Sequence, residues 1–393
     1  MPSYKRPLVY SSRLVVALFL IISVPRLLSK AYLKNFSASF DGSVFDLAVA
    51  PNAATASAMV EASEDSLYST SSSHMVPMPI DELVQSYSAA NVSCPEGATP
   101  LPDTPASSGG GSSGGSSWRE RRKIPRIIHI TSKSRCATPE VHSLVSMWRS
   151  WDNYSLYFHD DDAVQRLFSH PYTRATFPQL NETLKCVTNG ATKADLWRYV
   201  ALYIYGGVYT DIDNKPVGIN ALSIGDDDDA FFTIEGLGIL SQYFFASSPR
   251  HPLMKEALLH GIRNLRGIAN VMRNNPARST GPGAIKNGFI TFMNGTTNGY
   301  ISAGVYVGMN ARSITAVGDK RNASAYINRN GLDGRAKSAY YKALGIEHFH
   351  ENSIYPRQGR ISCMEHLKRT NGTNKVAKYR FDEKAGQYVD EVA

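Results

Sequence analysis

Cysteine is scarce in this 393-residue chain: there are four, Cys94, Cys136, Cys186 and Cys363, and no two stand in a C-x-x-C spacing. A cysteine-built zinc centre is therefore disfavoured. Charge is also sparse, at 19% of residues against 42% hydrophobic. That balance is globular, and it excludes wholesale disorder, a collagen-like chain and a coiled-coil rod. Beyond residue 30 no apolar run approaches the length of a membrane span, which excludes a multi-span membrane protein. No internal repeat is present.

What charge there is lies unevenly. Residues 1–32 carry five basic side chains and no acid, and residues 33–118 carry one lysine against nine acids, so the net charge of +8 leaves +11 on residues 119–393. The pattern reads as a basic leader, an acidic tether and a basic body that suits an anionic ligand. In the leader, Lys5 and Arg6 precede an apolar stretch over 8–28, whose charge-free centre at 14–24 is short for a plasma-membrane span. Arg13 and Arg26 can snorkel and internal membranes are thinner, so the leader reads as an uncleaved signal-anchor, with a cleaved signal peptide as the second reading. Either places the body in the secretory lumen. Seven Asn-x-Ser/Thr sequons, at Asn35, Asn91, Asn153, Asn181, Asn294, Asn322 and Asn371, agree with that setting. In an oxidising lumen one or two disulfides can form. Three of the four cysteines lie in the body, which leaves Cys94 as the expected odd thiol.

Residues 31–123 read as a disordered stem. They are rich in Ser, Ala, Pro and Thr and end in a pure Gly/Ser tract at 107–117. Such a segment has little to bury and much backbone entropy to lose. A short apolar patch at 75–84 is the exception. A fragment starting near Arg119 is therefore expected to fold by itself. From Ile124 the pattern changes. Strands are predicted at 125–130, 154–158, 208–210, 231–234 and 243–246, and helices at 141–151, 160–168, 192–205 and 252–265. The alternation predicts an α/β architecture with ligands at the carboxyl ends of the strands.

Asp211-x-Asp213 follows the apolar strand at 208–210. In an extended or turning segment, residues i and i+2 face the same way. Two like charges so close are costly unless a cation sits between them. A hard divalent ion held by carboxylates and phosphate oxygens is the economical partner. On the preceding helix Asp195 and Arg198 stand at i and i+3, on one face. An acid and an arginine there suit sugar hydroxyls and nucleotide oxygens; an intrahelical ion pair is the structural alternative. Thr280-Gly281-Pro282-Gly283 opens a predicted helix, where glycine permits close backbone approach and the helix N-terminus favours anions. Asp226–Asp229 reads as a solvated loop before a strand.

The segments 124–129, 194–199 and 205–213, which read IPRIIH, ADLWRY and YGGVYTDID, closely resemble glycosyltransferase family 32, the DxD sugar-binding Golgi transferases. The resemblance spans 124–356. It implies a GT-A (Rossmann-like) catalytic domain over 124–356, behind a cytoplasmic tail and signal-anchor at 1–30 and the stem at 31–123, with a C-terminal extension at 357–393. It implies a retaining hexosyltransferase, mannose favoured, in the Golgi membrane as a single-pass type II protein with a lumenal catalytic domain. Its expected partners are a nucleotide-sugar donor (GDP-mannose or a UDP-hexose) and a glycan or sphingolipid acceptor, with no nucleic acid. By the same resemblance Asp195, Arg198, Asp211 and Asp213 are catalytic. Donor binding falls to His129, Asp195, Arg198, Gly281, Gly283, Ser353 and Tyr355. Mn²⁺ or Mg²⁺ falls to Asp211, Asp213 and His350, with His348 as the weaker histidine. The chain departs from the family where Ile130 follows His129, and where Tyr355 stands for a tryptophan; Trp148 is a candidate stacking substitute. Two other readings compete: an inactive GT-A glycan-binding protein, and a D-x-D phosphatase whose motif would have Thr or Val where Lys215 stands.

Overall fold

The computed structural model describes residues 76–85, 92–101, 122–185, 187, 190–267 and 276–345, and the backbone of 379–382 and 387–390. The leader, with the expected anchor, lies outside the described residues. So do Cys186, Cys363, His348, His350, Ser353 and Tyr355. Among the described residues no helix is long and apolar enough to cross a membrane.

The frame is a seven-stranded sheet between helical layers. Its strands are β2 (Ile127–Thr131), β4 (Ser155–His159), β5 (Gly207–Thr210), β7 (Ala230–Ile234), β8 (Leu240–Ser247), β9 (Gly304–Val307) and β10 (Ser313–Val317), in the order β4-β2-β5-β8-β7-β10-β9. Strands β4, β2 and β5 pair in parallel, as do β7 and β10. Strand β8 runs against both β5 and β7, and β9 runs against β10. Five strands thus share one direction, and the carboxyl ends of β5 and β7 open on the same edge. The α/β class is the one expected; the sheet itself is mixed, with three parallel and three antiparallel pairings, and it fits a GT-A domain.

Alternation along each strand splits the core in two. Tyr209, Phe232 and Phe245 face one cluster, with helices α6 (Gly190–Tyr205), α7 (Pro252–Gly267) and α9 (Pro282–Phe292). Val208, Phe231 and Phe244 face the other, with α2 (Pro139–Arg149). Helix α6 is buried from Asp195 through Leu202, so its polar residues lie inside the protein rather than on a solvated face. Gly206 and Gly207 end it with φ of +66° and +96°. A Cβ on Gly206 would meet Pro249 at 2.6 Å, and one on Gly207 would meet the Ile127 carbonyl at 2.7 Å. The pair therefore lets the chain turn from helix into β5 against neighbouring backbone.

Two stretches read from sequence as stem pack on this body. Helix α1 (Ile80–Gln85) buries Leu83 and Val84 in the α6 cluster. Tyr157 Oη donates to Asp81 at 2.8 Å, and Tyr205 Oη to the Met78 carbonyl at 2.8 Å. Strand β1 (Thr99–Pro100) pairs antiparallel with β3 (Cys136–Ala137), and Leu101 is buried. Cys94 is not odd: it is bonded to Cys136. The apolar patch at 75–84 carried a sequence signal for the helix, whereas Leu101 stands alone in polar chain. Trp148 is also settled as core. It is fully buried, stacks on Phe244 at 5.7 Å and donates from Nε1 to the Asn214 carbonyl at 3.0 Å.

Candidate active site

Strand β5 ends where its partner β8 still supplies acceptors. The Asp211 amide donates to the Tyr243 carbonyl at 3.0 Å, and Asn214 N closes a turn on the Asp211 carbonyl at 3.1 Å. Asn214 is fully buried, and its Nδ2 donates to Thr210 Oγ1 at 3.1 Å and to the Tyr243 carbonyl at 2.7 Å. That clamp fixes the turn carrying the two carboxylates at the strand's carboxyl end. The Asp211 side chain is about a third exposed and Asp213 rather less, at 32% and 16%. They are the water-facing members of the site.

Behind them Arg198 joins the helix to the strand. Its Nη2 lies 3.2 Å from Asp195 Oδ1 and its Nη1 3.4 Å from Asp211 Oδ1. Nη1 also donates to the Gln242 carbonyl at 2.7 Å, and the guanidinium lies 4.3 Å from the Tyr209 ring centre. Tyr209 Oη donates to Asp211 Oδ1 at 2.6 Å. Asp195 accepts from Gln242 Nε2 at 2.9 Å and from Thr280 Oγ1 at 2.8 Å. Both oxygens of Asp195 are therefore occupied from within the protein. The intrahelical ion pair and the site residue are one and the same, since Arg198 carries the buried helix charge to the exposed carboxylate.

The electrostatics follow from burial. Burial pushes Asp195 up, with Arg198 and the hydrogen bonds from Gln242 and Thr280 acting against it. Asp211 is also pushed up by burial and by the like charge of Asp213, while Arg198 opposes. Burial disfavours the Arg198 charge, but Tyr209, Asp211 and Asp195 outweigh it, so the guanidinium is held more firmly protonated than usual. Lys337, on helix α10 (Gly334–Ala343), donates to Asp213 Oδ2 at 2.6 Å and is raised by that carboxylate against its own burial.

The sequence-predicted residues do not all meet here. Asp195, Arg198, Asp211 and Asp213 do. Gly281 adjoins them: a Cβ there would lie 3.3 Å from Asp195 Oδ2. Gly283 is explained by packing, because a Cβ would collide with the Arg278 carbonyl. His129 is corrected. It is wholly buried, its Nε2 lies 2.9 Å from the Gly206 carbonyl and its Nδ1 3.2 Å from His159, and burial lowers it to about 4. A neutral ring bracing the Gly206 turn has no face left for a donor. Asp229 is corrected too. It is not solvated but buried, bound by Arg312 at 2.5 and 2.7 Å and by Ser248 at 2.6 Å. Although burial works the other way, those donors hold it down at about 2. Sequence reasoning missed Gln242, Thr280 as a ligand of Asp195, Tyr209, Lys337 and Arg329, whose guanidinium lies 4.6 Å from the Tyr243 ring centre. Only Tyr209 had a usable signal, being two residues before Asp211 on one strand face.

The donor set fits a hard divalent ion. Asp211 and Asp213 would hold it: the charge of Asp213 raises Asp211, and each carboxylate is engaged within the protein on one oxygen. Among the described residues no cluster of three His, Cys, Asp or Glu ligands exists, so further ligands would come from substrate oxygens or from outside those residues.

Two carboxylates thus stand at a strand's carboxyl end, backed by a buried arginine, in a mixed α/β sheet. Residues 126–229 match the glycosyltransferase sugar-binding region containing the DXD motif. Over 96 residues the chain is 28% identical to the Saccharomyces cerevisiae protein named "Putative glycosyltransferase HOC1", covering 24% of each chain. The chain thus spans about a quarter of that relative's length. A solved structure of the PaToxG glycosyltransferase is similar at 13% identity and a TM-score of 0.36, over 57% of this chain and 86% of that one. The chain carries a glycosyltransferase DXD region, and its likeness to family 32 rests on that region.

Proposed function

We propose that the protein is a metal-dependent retaining hexosyltransferase. It would take a nucleotide sugar, GDP-mannose before a UDP-hexose, and glycosylate a glycan or sphingolipid in the Golgi lumen. The observation that carries this reading is the continuous chain Asp195–Arg198–Asp211, every link within 3.4 Å, ending on a partly exposed carboxylate at the carboxyl end of a strand, where α/β sheets commonly bind ligands. A bound Mn²⁺ or Mg²⁺ would supply neutralising charge for a leaving diphosphate. This chain's own cations, Lys337 beside Asp213 and Arg329 near Asp211, lie where they add to that stabilisation. Asp195 is saturated by its partners, so it is no free nucleophile; a front-face transfer, in which the acceptor attacks the side the diphosphate leaves, suits the site.

The lumenal setting and type II anchor rest on the leader and the sequons. Asn153, Asn294 and Asn322 are exposed, and the Cys94–Cys136 bond suits an oxidising compartment. The deciding experiment is a nucleotide-sugar panel with Mn²⁺, read as nucleoside diphosphate release, with and without EDTA. Release with one donor, abolished by EDTA and by Asp213→Ala, supports the reading. No release with any donor sinks it, leaving a glycan-binding role; full activity in EDTA removes the metal.

A further inference from the structure

One carboxyl near the site has no role in the network above. Glu235 follows the last residue of β7, and its backbone is pinned by the hairpin to β8. Its amide donates to the Ile239 carbonyl at 3.0 Å, and its carbonyl accepts from Gly238 at 2.7 Å. Gly238, with φ +74°, makes that turn possible. The side chain is only 4% exposed. Among the described residues no donor reaches its buried Oε1. An unsatisfied buried carboxyl oxygen costs stability, so its retention needs a reason outside the fold.

Position supplies that reason. Strands β5 and β7 run the same way on either side of β8, so Asp211 and Glu235 lie toward one edge of the sheet, at least two strand spacings or about 10 Å apart, since β8 sets Thr210 opposite Phe244 but Ile234 opposite Leu240. Arg329 acts on both carboxylates, and Tyr243 lies between them under the Arg329 guanidinium. A group held on Asp211 and Asp213 by its diphosphate would extend along this edge toward Glu235. Burial, with Arg329 opposing, raises the Glu235 carboxyl to about 7, which makes it a poor metal ligand and a good partner for a hydroxyl, able to give or take a hydrogen bond.

Resting on the transferase reading, we propose that Glu235 binds a sugar hydroxyl in the transfer site, orienting the transferred hexose or the acceptor sugar. It would act as a specificity residue, in contact with substrate. Where the hydroxyl sits on the donor, Glu235 reads the hexose; where it sits on the acceptor, it reads the sugar to be extended.

The test compares the full chain with Glu235→Met and Glu235→Gln. With the donor from the panel, KM for donor and acceptor are measured separately, together with affinity for GDP and UDP alone and the Tm. The expected result for Glu235→Met is a rise of about 10- to 100-fold in one of the two KM values or an equal loss of kcat. Diphosphate affinity should be unchanged and Tm equal or higher, and Glu235→Gln should recover part of the loss. A rise in the donor KM assigns the hydroxyl to the transferred sugar, and a rise in the acceptor KM to the acceptor. A lowered Tm with kinetics intact would make Glu235 structural and overturn the proposal. So would unchanged kinetics, or a hexose found covalently on Glu235 by mass spectrometry, which would make it a nucleophile. A wild-type chain with no transfer would overturn the transferase reading itself, whereas an active wild type with silent variants would overturn only the assignment of Glu235.

Discussion

Replacing Arg198 by methionine tests whether the centre of the site is also a centre of stability. The change keeps most of the volume but removes contacts to two carboxylates at 3.2 and 3.4 Å, the hydrogen bond to the Gln242 carbonyl at 2.7 Å and the cation over Tyr209. Asp195, only 6% exposed, is left with Thr280 and Gln242 alone. Removing one partner of a buried pair costs about 3–5 kcal/mol, mostly through the charge left behind. For a domain of this size that lowers the Tm by roughly 10 °C. The pH dependence has a definite sign. Burial already raises Asp195 and Arg198 holds it back, so without Arg198 the folded-state carboxyl rises further above its unfolded value. Folded Arg198→Met then binds a proton that the unfolded chain releases. Its deficit is smallest in acid, below the unfolded carboxyl range, and grows as the pH rises toward the raised folded value. Urea unfolding at pH 5 and 8 measures this. Adding Asp195→Asn should recover at least about 1 kcal/mol, because it removes the stranded charge. A single variant within about 1 kcal/mol of wild type at neutral pH, or a double variant that pays both costs in full, would refute the reasoning.

Other expectations concern separate parts of the molecule. Asp213→Ala should abolish transfer with little change in Tm, since its partner Lys337 is a third exposed and returns to water; circular dichroism melting with the release assay checks both. Asp229→Asn should flatten the acid limb of the stability curve. Arg312 and Ser248 hold Asp229 down at about 2, so its contribution is present above the ordinary carboxylate value and lost as pH falls through about 2, on the order of 2 kcal/mol in acid titration of unfolding. A fragment beginning at residue 119 should be less stable than one beginning at residue 76, because it lacks Leu83, Val84, Leu101 and the Cys94–Cys136 bond. The bond, closing 42 residues, contributes about 4 kcal/mol by chain entropy, so reduction of the longer fragment should lower its urea midpoint measurably. Equal midpoints would show that the packed stem segments are dispensable.

Sequence by itself was enough wherever the chemistry is local. The D-x-D pair follows the short strand β5, whose end is readable from the sequence, and the carboxylates, two residues apart in the turn that follows, stay close enough to act on one another. Asp195 and Arg198 are three apart on a helix, so their meeting needed only helical geometry. The Gly206-Gly207 stop and the alternation of strand and helix were equally legible, and with them the α/β class. What the tertiary structure decided is what joins distant parts of the chain. Lys337 reaches Asp213 across 124 residues, Thr280 reaches Asp195 across 85, and Gln242 reaches it across 47. No spacing rule covers such pairs, because they depend on which strand lies beside which and on the hairpin register of β7 and β8. Burial is the other decision taken in three dimensions. His129 sits in a motif that suggested a donor contact, yet sheet order puts it under helix α6, where desolvation keeps it neutral against the Gly206 carbonyl. No sequence pattern singles out Glu235. Only the closing of β8 between β5 and β7 removed it from water and set it, without a donor at Oε1, on the same edge as Asp211.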